Sequence, residues 1–395
     1  MKARILSRVE ITVLFILWPL IGLLAACGQF EYKKTRFICV LFGTLFGYTF
    51  VVGNESIDAN RIVEEFNSYC NGAIDWEQWV EITLLKRGTQ LIIPLVTSVV
   101  SLFSDDYHVL FAIYGMFFSY FMTKTVGLLY DYNKNNSTML KLLLVIFLLS
   151  LNFIFNINGM RMWLAMWVVC YSLLAYWNGT FTRKQSYLLL ALCVFIHWSF
   201  LFVFLLFVFY ENFNIKKEPM LYILILLSFA LRPFFAVAVQ NLPLLGGFYE
   251  DKVMGYTSEE ANERVMEKQQ NASFLYGIYR IFFSPAVLLL LLFVRRKVNL
   301  QNSNVLKCIY CLSLIVYAIS NAGADVLSVG RFFILFQSLV VFFIYSALNI
   351  TQVGTRRLIT ICLLPLLVFS CTNSWILGRV VMSENLFLPL PFYLL

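Results

Sequence analysis

The sequence predicts an all-α, polytopic integral membrane protein, and three observations support this fold class. Of the 395 residues, 60% are hydrophobic and 13% are charged, whereas an average soluble protein carries about twice that charge. Uncharged apolar runs of membrane-spanning length recur along the chain. They are continuously apolar, which excludes transmembrane β-strands. We therefore expect one polytopic domain over residues 1–395, with about 10 to 12 transmembrane helices.

The first part of the chain contains a series of predicted spans and one long polar loop. The spans are Ile11–Phe30, Phe37–Val52, Tyr107–Thr123, Leu142–Asn156 and Met162–Thr182. We place the acidic loop at residues 54–87 outside, because the basic turn Lys33–Arg36 before it belongs in the cytoplasm. This topology puts the N-terminus outside as well, although the basic residues near it favour the cytoplasm. Gly88–Ser104 contains a proline and several hydroxyl side chains, so we expect it to lie along the membrane interface.

The later part of the chain holds an interrupted segment, a second polar loop and four more spans. Pro219–Leu245 contains Arg232-Pro233, and because a proline usually kinks a helix, we expect this segment to enter the membrane and return. That arrangement leaves Lys216 and Lys217 outside. The acidic loop at residues 246–271 is also placed outside. The remaining predicted spans are Ala272–Val294, Cys308–Ala324, Phe332–Thr355 and Leu358–Gly378.

Charge and cysteine content exclude several classes of function. Much of the net charge of +8 comes from short turns between spans, as the positive-inside rule predicts, so we expect no nucleic-acid partner. Of the nine cysteines, all but Cys70 lie in or beside apolar runs, where cysteine acts as a small hydrophobic residue. The chain has no Walker loop, no GxSxG elbow and no metal-ligand cluster. We expect no metal and no other cofactor.

The stretch from Asn156 to Tyr210 holds two apolar runs joined by a short polar turn, and it carries a histidine. We expect the second run to be a helix in which His197 lies near the middle of the bilayer. Ionisable groups at that depth are expensive and usually functional, and histidine suits general base catalysis near neutral pH. The alternative is a core histidine that is hydrogen-bonded to a neighbouring helix.

Arginines in or beside apolar segments form the second group of candidates, namely Arg161, Arg232, Arg280 and Arg331. A planar guanidinium binds phosphate oxygens in pairs, so a group of them at the outer face suits a lipid pyrophosphate. The alternative is four unrelated anchors at the membrane interface. Asp58 with Arg61, and Asp325 before Arg331, are the best acidic companions. Such pairs on loops are otherwise surface ion pairs of small energetic value.

Four short motifs carry a resemblance to a known family. They are an asparagine-rich turn before an arginine and a small-residue helix (Asn156–Ala165), an Ala-x-x-x-Phe-x-His-x-Ser helix (Ala191–Ser199), an aspartate and an arginine after the second span (Asp58 and Arg61), and a late arginine that opens an aromatic helix (Arg331–Phe333). Through them the chain resembles the EpsG/Wzy-like family of bacterial polysaccharide polymerases. It departs from the family's usual pattern at Met162 and Ile62, where glutamine and an aromatic residue are more common.

The resemblance implies a multi-pass enzyme of the bacterial inner membrane that joins oligosaccharide repeat units carried on undecaprenyl pyrophosphate at the outer leaflet. An acceptor hydroxyl would attack the donor's anomeric carbon, and the lipid pyrophosphate would leave. We expect His197, Arg161 and Arg331 to be catalytic. We expect the substrate-binding residues to be Asp58, Arg61, Asn158, Arg280 and Asp325.

Expected partners are the lipid-linked oligosaccharide, membrane lipid, and other polysaccharide export or chain-length proteins. A flippase for the same lipid, or a small-molecule carrier, is the competing class, because intramembrane arginines would serve transport equally well. A membrane acyltransferase is a third class, but the chain has no evident acyl-donor motif.

Overall fold

The computed structural model describes residues 6–53, 57–72, 76–81, 90–132, 139–213, 218–241, 274–300, 303–324 and 329–389. These residues form helices and no strand, which confirms the predicted all-α class. Five helical stretches among them are long and apolar enough to cross a membrane, so the protein is a multi-pass membrane protein. They are Tyr107–Tyr132, Met139–Trp177, Asn304–Ala322, Gly330–Ile350 and Val353–Ile376.

The helices in chain order largely follow the predicted apolar runs. They are α1 (Arg8–Leu17), α2 (Pro19–Gly28), α3 (Phe37–Tyr48), α4 (Ile57–Cys70), α5 (Trp76–Val80), α6 (Ile92–Ser101), α7 (Tyr107–Tyr132), α8 (Met139–Leu151), α9 (Met160–Trp177), α10 (Arg183–Ile196), α11 (Phe200–Phe213), α12 (Glu218–Asn241), α13 (Phe274–Lys297), α14 (Asn304–Ala322), α15 (Phe333–Ala347) and α16 (Val353–Gly378). The first polar loop thus contains helices α4 and α5, whereas residues 246–271 lie outside the described residues.

The chain divides into two compact units, and the candidate residues are distributed between them. Unit 1 comprises Met1–Asn135, Asn152–Phe204 and Ser374–Leu395, and unit 2 comprises Asn136–Leu151 and Leu205–Asn373. Unit 1 therefore contains the candidates Asp58, Arg61, Asn158, Arg161 and His197. Unit 2 contains Arg280, Asp325 and Arg331. The prediction of one polytopic domain stays a prediction.

The first apolar run of unit 1 forms two short helices and not the predicted single span. The backbone of Trp18 is extended (φ −151°, ψ 99°), and Pro19 begins α2, a position where its missing N–H removes no helical hydrogen bond. Each helix has 10 residues, or about 15 Å, which is about half the hydrocarbon core. The two helices pack closely, with Gly22 of α2 against the backbone of Phe15.

Helices α1 and α2 form a hairpin, and the contacts at its ends show on which side of the membrane the chain begins. The Arg8 guanidinium lies 4.6 Å from the centre of the Phe37 ring, so the start of α1 is beside the start of α3. Ile11, Ala26 and Ile38 form one buried apolar cluster there. The run therefore doubles back, and the prediction that it crosses the membrane and places the N-terminus opposite the basic turn is wrong.

Helices α3 and α7 form an antiparallel pair whose ends are joined by an ion pair. Arg36, just before α3, donates from Nη1 and Nη2 to the carboxylate of Asp131, near the end of α7, at 3.2 and 2.9 Å. Because the two helices run in opposite directions, the segment between them makes no net crossing. This agrees with the expectation for Gly88–Ser104, where α6 has only 10 residues.

Unit 2 corrects the prediction for the segment around Arg232-Pro233. Helix α12 runs without interruption from Glu218 to Asn241 with Pro233 inside it, so the segment does not enter and return. Glu218 accepts two hydrogen bonds from Arg295 near the end of α13, at 2.7 and 3.2 Å. The start of α12 and the end of α13 thus lie at the same end of the unit. Lys216 and Lys217, which precede α12, lie outside the described residues.

Candidate functional site

The site is built on the turn that leads into α9, and Asn152 holds that turn in place. A short 3-10 helix, Ile154–Gly159, precedes α9. The buried Asn152 side chain donates to the carbonyl of Trp163 at 3.1 Å and accepts from Asn156 at 3.0 Å. Its backbone carbonyl accepts from the Trp167 indole at 3.1 Å. The asparagine-rich turn is therefore attached to the first turns of the helix that follows it.

Asn158 connects this turn to helix α4. Its Oδ1 accepts a hydrogen bond from the backbone N–H of Ala59 at 3.2 Å. Ala59 lies in the first turn of α4, where backbone N–H groups have no partner within the helix. Asn158 therefore caps α4 from a position distant in sequence. The predicted candidates Asp58 and Asn158 are brought together by this contact.

Asp58 lies in the same first turn, half-buried, with its carboxylate facing the turn before α9. A Cβ placed on Gly159 would lie 3.8 Å from Oδ2 of Asp58 and 3.0 Å from the indole nitrogen of Trp163. Glycine at this position leaves room for the indole of Trp163, and the carboxylate of Asp58 lies at ordinary contact distance beside it. A carboxylate near helix N-termini is also electrostatically favourable.

Arg161 lies in the first turn of α9 and is half-buried. Its Nη1 donates to the Oε1 of Gln90 at 3.0 Å, and Gln90 is itself 4% exposed. Among the described residues, no carboxylate lies within ion-pair distance of Arg161, whereas Arg36 and Arg295 are each paired with a carboxylate. Since a guanidinium has five N–H donors, the bond to Gln90 orients Arg161 and leaves its charge and further donors for a ligand.

His197 lies at a sharp bend and not within a continuous helix, which corrects the prediction. It ends α10 with an extended backbone (φ −152°, ψ 117°), and α11 begins at Phe200. The rings of Tyr187 and Phe204 are 6.2 Å apart, although 17 positions of straight helix would separate them by about 25 Å. The chain therefore turns sharply between α10 and α11.

Ser199 links this bend to the start of α9. Its Oγ lies 2.7 Å from Nδ1 of His197 and 3.9 Å from the sulfur of Met162. All three side chains are buried. Because Met162 follows Arg161, the bend lies level with the first turn of α9. The 14 residues of α10, or about 21 Å of helix, separate His197 from Arg183 at the other end of that helix.

The structure thus brings four predicted site residues together and leaves the others apart or outside the described residues. Asp58, Asn158, Arg161 and His197 surround the start of α9. Arg61 is exposed on α4, one turn after Asp58. In unit 2, Arg331 is half-buried in the 3-10 helix Gly330–Phe332 before α15. The side chain of Arg280 and the whole of Asp325 lie outside the described residues.

Three residues of the cluster were not predicted as site residues. Ser199 is part of the histidine motif, so its distance of two residues from His197 was the available signal. Asn152 lies four residues before the asparagine-rich turn, and its signal was that asparagine side chains commonly stabilise turns and caps. Gln90 has no local signal in the sequence, because only the tertiary structure places it against Arg161. In the described part of the chain, no three His, Cys, Asp or Glu side chains are arranged to hold a metal ion.

Comparison with known proteins identifies a family. The family described as the EpsG family matches residues 36–390 of this chain, a range that includes every residue of the cluster around α9. No curated protein and no solved structure matches the chain.

Proposed function

Because this chain belongs to the EpsG family, a Wzy-like family of polysaccharide polymerases, we propose that it joins repeat units carried on undecaprenyl pyrophosphate. Family membership supports polysaccharide polymerisation in general. The lipid-pyrophosphate donor, the outer leaflet of the bacterial inner membrane as the place of reaction, and the residues that act are our proposals. The single observation that carries them is the convergence of Asp58, Asn158, Arg161 and His197 on the start of α9.

The proposed reaction is a glycosyl transfer. The hydroxyl oxygen of the acceptor sugar forms a bond to the anomeric carbon of the donor, and the bond from that carbon to the pyrophosphate oxygen breaks. The electron pair leaves with the lipid pyrophosphate, and the hydroxyl proton must pass to a base. Such a transfer needs positive charge at the leaving group and a proton acceptor at the hydroxyl.

The cluster supplies groups for both needs. Arg161 offers a charge that is not paired with a carboxylate among the described residues, and Gln90 fixes its orientation. The nearby titratable groups are Asp58, which lies beside Gly159, and His197, whose partner Ser199 contacts Met162. Arg331 of unit 2 lies directly before the apolar helix α15, much as Arg161 lies at the start of the apolar helix α9. We retain Arg331 as a second candidate for phosphate contact.

The outer leaflet is supported by helix ends and charge. In unit 1 the start of α3 carries the basic turn Lys33–Arg36, and the ion pair of Arg36 with Asp131 places the end of α7 beside it. Basic turns belong on the cytoplasmic side. Helix α4, which contacts the start of α9, belongs to the segment between α3 and α7, at their other ends. We therefore place the cluster towards the outer face.

A deletion strain tests the proposed function. Without the gene, a polymerase defect leaves single repeat units on the cell surface, whereas a flippase defect removes all surface repeats. Wild-type protein should restore the full polymer ladder, and Arg161→Ala at equal membrane levels should restore only single units. Complete loss of surface repeats in the deletion strain would overturn the polymerase in favour of transport.

A further inference from the structure

Ser199 approaches the same nitrogen of His197 with two different groups. Its hydroxyl oxygen lies 2.7 Å from Nδ1, and its backbone N–H donates to Nδ1 at 3.4 Å. His197 is 9% exposed and Ser199 is 6% exposed, so these contacts are shielded from bulk water. The extended backbone of His197 at the end of α10 brings its ring back over the next residues of the chain.

The two contacts carry different information about the proton on the imidazole. A hydroxyl can donate or accept, but a backbone N–H can only donate. The N–H of Ser199, at 3.4 Å, therefore favours Nδ1 as an acceptor, and the neutral ring then carries its proton on Nε2. With the tautomer assigned in this way, the serine hydroxyl also donates to Nδ1. A base acting through Nε2 needs the opposite tautomer.

We infer that Ser199 is a positioning residue that holds His197 as the Nε2–H tautomer, so that His197 donates a hydrogen bond and Asp58 is the base. This inference rests on the proposed polymerase function and reverses the role predicted for His197 from the sequence. In the proposed transfer, Nε2–H donates to an oxygen of the departing pyrophosphate. The proton of the acceptor hydroxyl passes to the carboxylate of Asp58 as the new glycosidic bond forms.

Asp58 is the carboxylate that the geometry offers for this step. It lies in the first turn of α4, and its Oδ2 approaches Gly159 at the start of α9. Asn158 attaches that turn of α4 to the same segment through Ala59. The next carboxylates along α4, Glu64 and Glu65, are almost two turns further on, or about 9 Å along the axis. A displacement needs a hydrogen-bond donor for the leaving oxygen and a base for the entering hydroxyl, and His197 and Asp58 supply one of each.

Nuclear magnetic resonance can read the tautomer directly, because the chain has only two histidines. In a His108→Gln variant reconstituted in lipid and labelled with 15N-histidine, every histidine signal comes from His197. At a pH where the ring is neutral, we expect the proton on Nε2 and an unprotonated Nδ1. A protonated Nδ1 would overturn the inference.

Two serine variants separate positioning from packing. Ser199→Thr keeps the hydroxyl and the backbone N–H and should keep the Nε2–H signal. Ser199→Ala loses the hydroxyl contact at 2.7 Å and keeps only the longer backbone contact at 3.4 Å, so part of the Nδ1–H tautomer should appear beside the Nε2–H tautomer. An unchanged single tautomer in Ser199→Ala would show that the hydroxyl does not position the ring. These spectra do not depend on polymer synthesis, so they test the inference even if the proposed function fails.

Activity distinguishes a donor from a base. The amide nitrogen of glutamine can occupy the place of Nε2, whereas that of asparagine reaches only the place of Nδ1. His197→Gln should therefore keep polymerisation within about tenfold of wild type, the ordinary effect of one altered hydrogen bond. His197→Asn should lose about 100-fold or more, as when a transition-state donor is removed.

The proposed base has its own test. Asp58→Asn should lose about 100- to 10,000-fold, the usual effect of general base catalysis. A loss of that size in His197→Gln, with near-normal activity in Asp58→Asn, would return the base role to His197 and overturn the inference. Purified protein in liposomes with a lipid-linked repeat unit gives these rates at matched protein amounts.

Discussion

Arg161 is oriented by one hydrogen bond and retains further donors, and this combination decides how it can be tested. Its Nη1 donates to Gln90 at 3.0 Å, which holds one edge of the guanidinium. Lysine has a single charged nitrogen and cannot bond to Gln90 and grip two phosphate oxygens in the same fixed plane. An arginine that only anchors a helix end at the interface has no such requirement.

Replacing Arg161 by lysine should therefore lower polymerisation although the charge is kept. We expect a loss of about 10- to 100-fold in Arg161→Lys, in line with charged hydrogen bonds, and no detectable polymer in Arg161→Ala. The measurement is the rate of repeat-unit consumption by purified protein, with polymer length on gels as a second readout.

Arg183 provides the matched control for this prediction. It is exposed at the start of α10, and its Nε donates to the hydroxyl of Tyr187 at 2.8 Å. Arg183→Lys should change the rate by less than about twofold, as for most surface substitutions. Equal activity of Arg161→Lys and wild type would leave Arg161 as a membrane anchor.

At the scale of elements, the contact of α3 with α7 depends on small residues. Gly43 and Gly47 of α3 face Gly115 and Ser119 of α7, and a Cβ on Gly47 would collide with the carbonyl oxygen of Phe111. Small residues allow the backbones of membrane helices to approach closely, where van der Waals packing holds them together. The position of α7, and through it of α9, follows from this contact.

Gly47→Ala should destabilise the protein by about 1–3 kcal/mol, the usual effect of overpacking, because backbone atoms must move. The matched control is Gly28→Ala, since a Cβ on Gly28 meets no heavy atom within 4 Å. The midpoint of thermal unfolding in detergent should fall for the first variant and stay unchanged for the second. A Gly47→Ala protein as stable as the control would show that α3 and α7 are less closely packed than described.

The helices also show which features of the fold the sequence could predict and which it could not. Hydropathy locates apolar helices because burial is roughly additive along the chain. It does not locate their breaks. The chain breaks at Trp18-Pro19 and at His197 but continues through Pro233, because neighbouring elements decide whether a helix can end or a proline can be accommodated.

The candidate site was also predictable only in part. Residue types identified Asp58, Asn158, Arg161 and His197 as candidates, and the structure places them around one helix end. The partners Gln90 and Ser199, which orient two of them, are defined by contacts between distant segments or by a local backbone turn. The direction of the His197 ring, and hence its proposed role, could not be read from spacing alone.

At the scale of the whole molecule, the contacts within each unit bring several helix ends together beside basic residues. In unit 1, the start of α1, the start of α3 and the end of α7 lie together beside Lys33–Arg36. In unit 2, Glu218 lies beside Arg295, which begins a basic cluster of three residues. By the positive-inside rule we expect each of these ends to lie in the cytoplasm.

Cysteine labelling tests this topology in a background without the native cysteines. Ser7→Cys should be protected in intact cells from a membrane-impermeant maleimide and should react after the membrane is opened. Asn67→Cys on the exposed face of α4, and Ser258→Cys in the second acidic loop, should react in intact cells. Reaction of Ser7→Cys from outside would contradict the N-terminal hairpin, and protection of Asn67→Cys would contradict the outer position of α4.

The bend at His197 has a further consequence for the chemistry. A helix that ends at membrane depth leaves its last carbonyl groups without partners of its own, and in hydrocarbon such groups need protein or water around them. Water held at a polar bend in the proposed site would compete with the acceptor sugar. Both would attack the donor's anomeric carbon through the oxygen of an O–H group. The fidelity of the enzyme would then be set by solvent exclusion, and each failure would hydrolyse the activated donor and end a chain early.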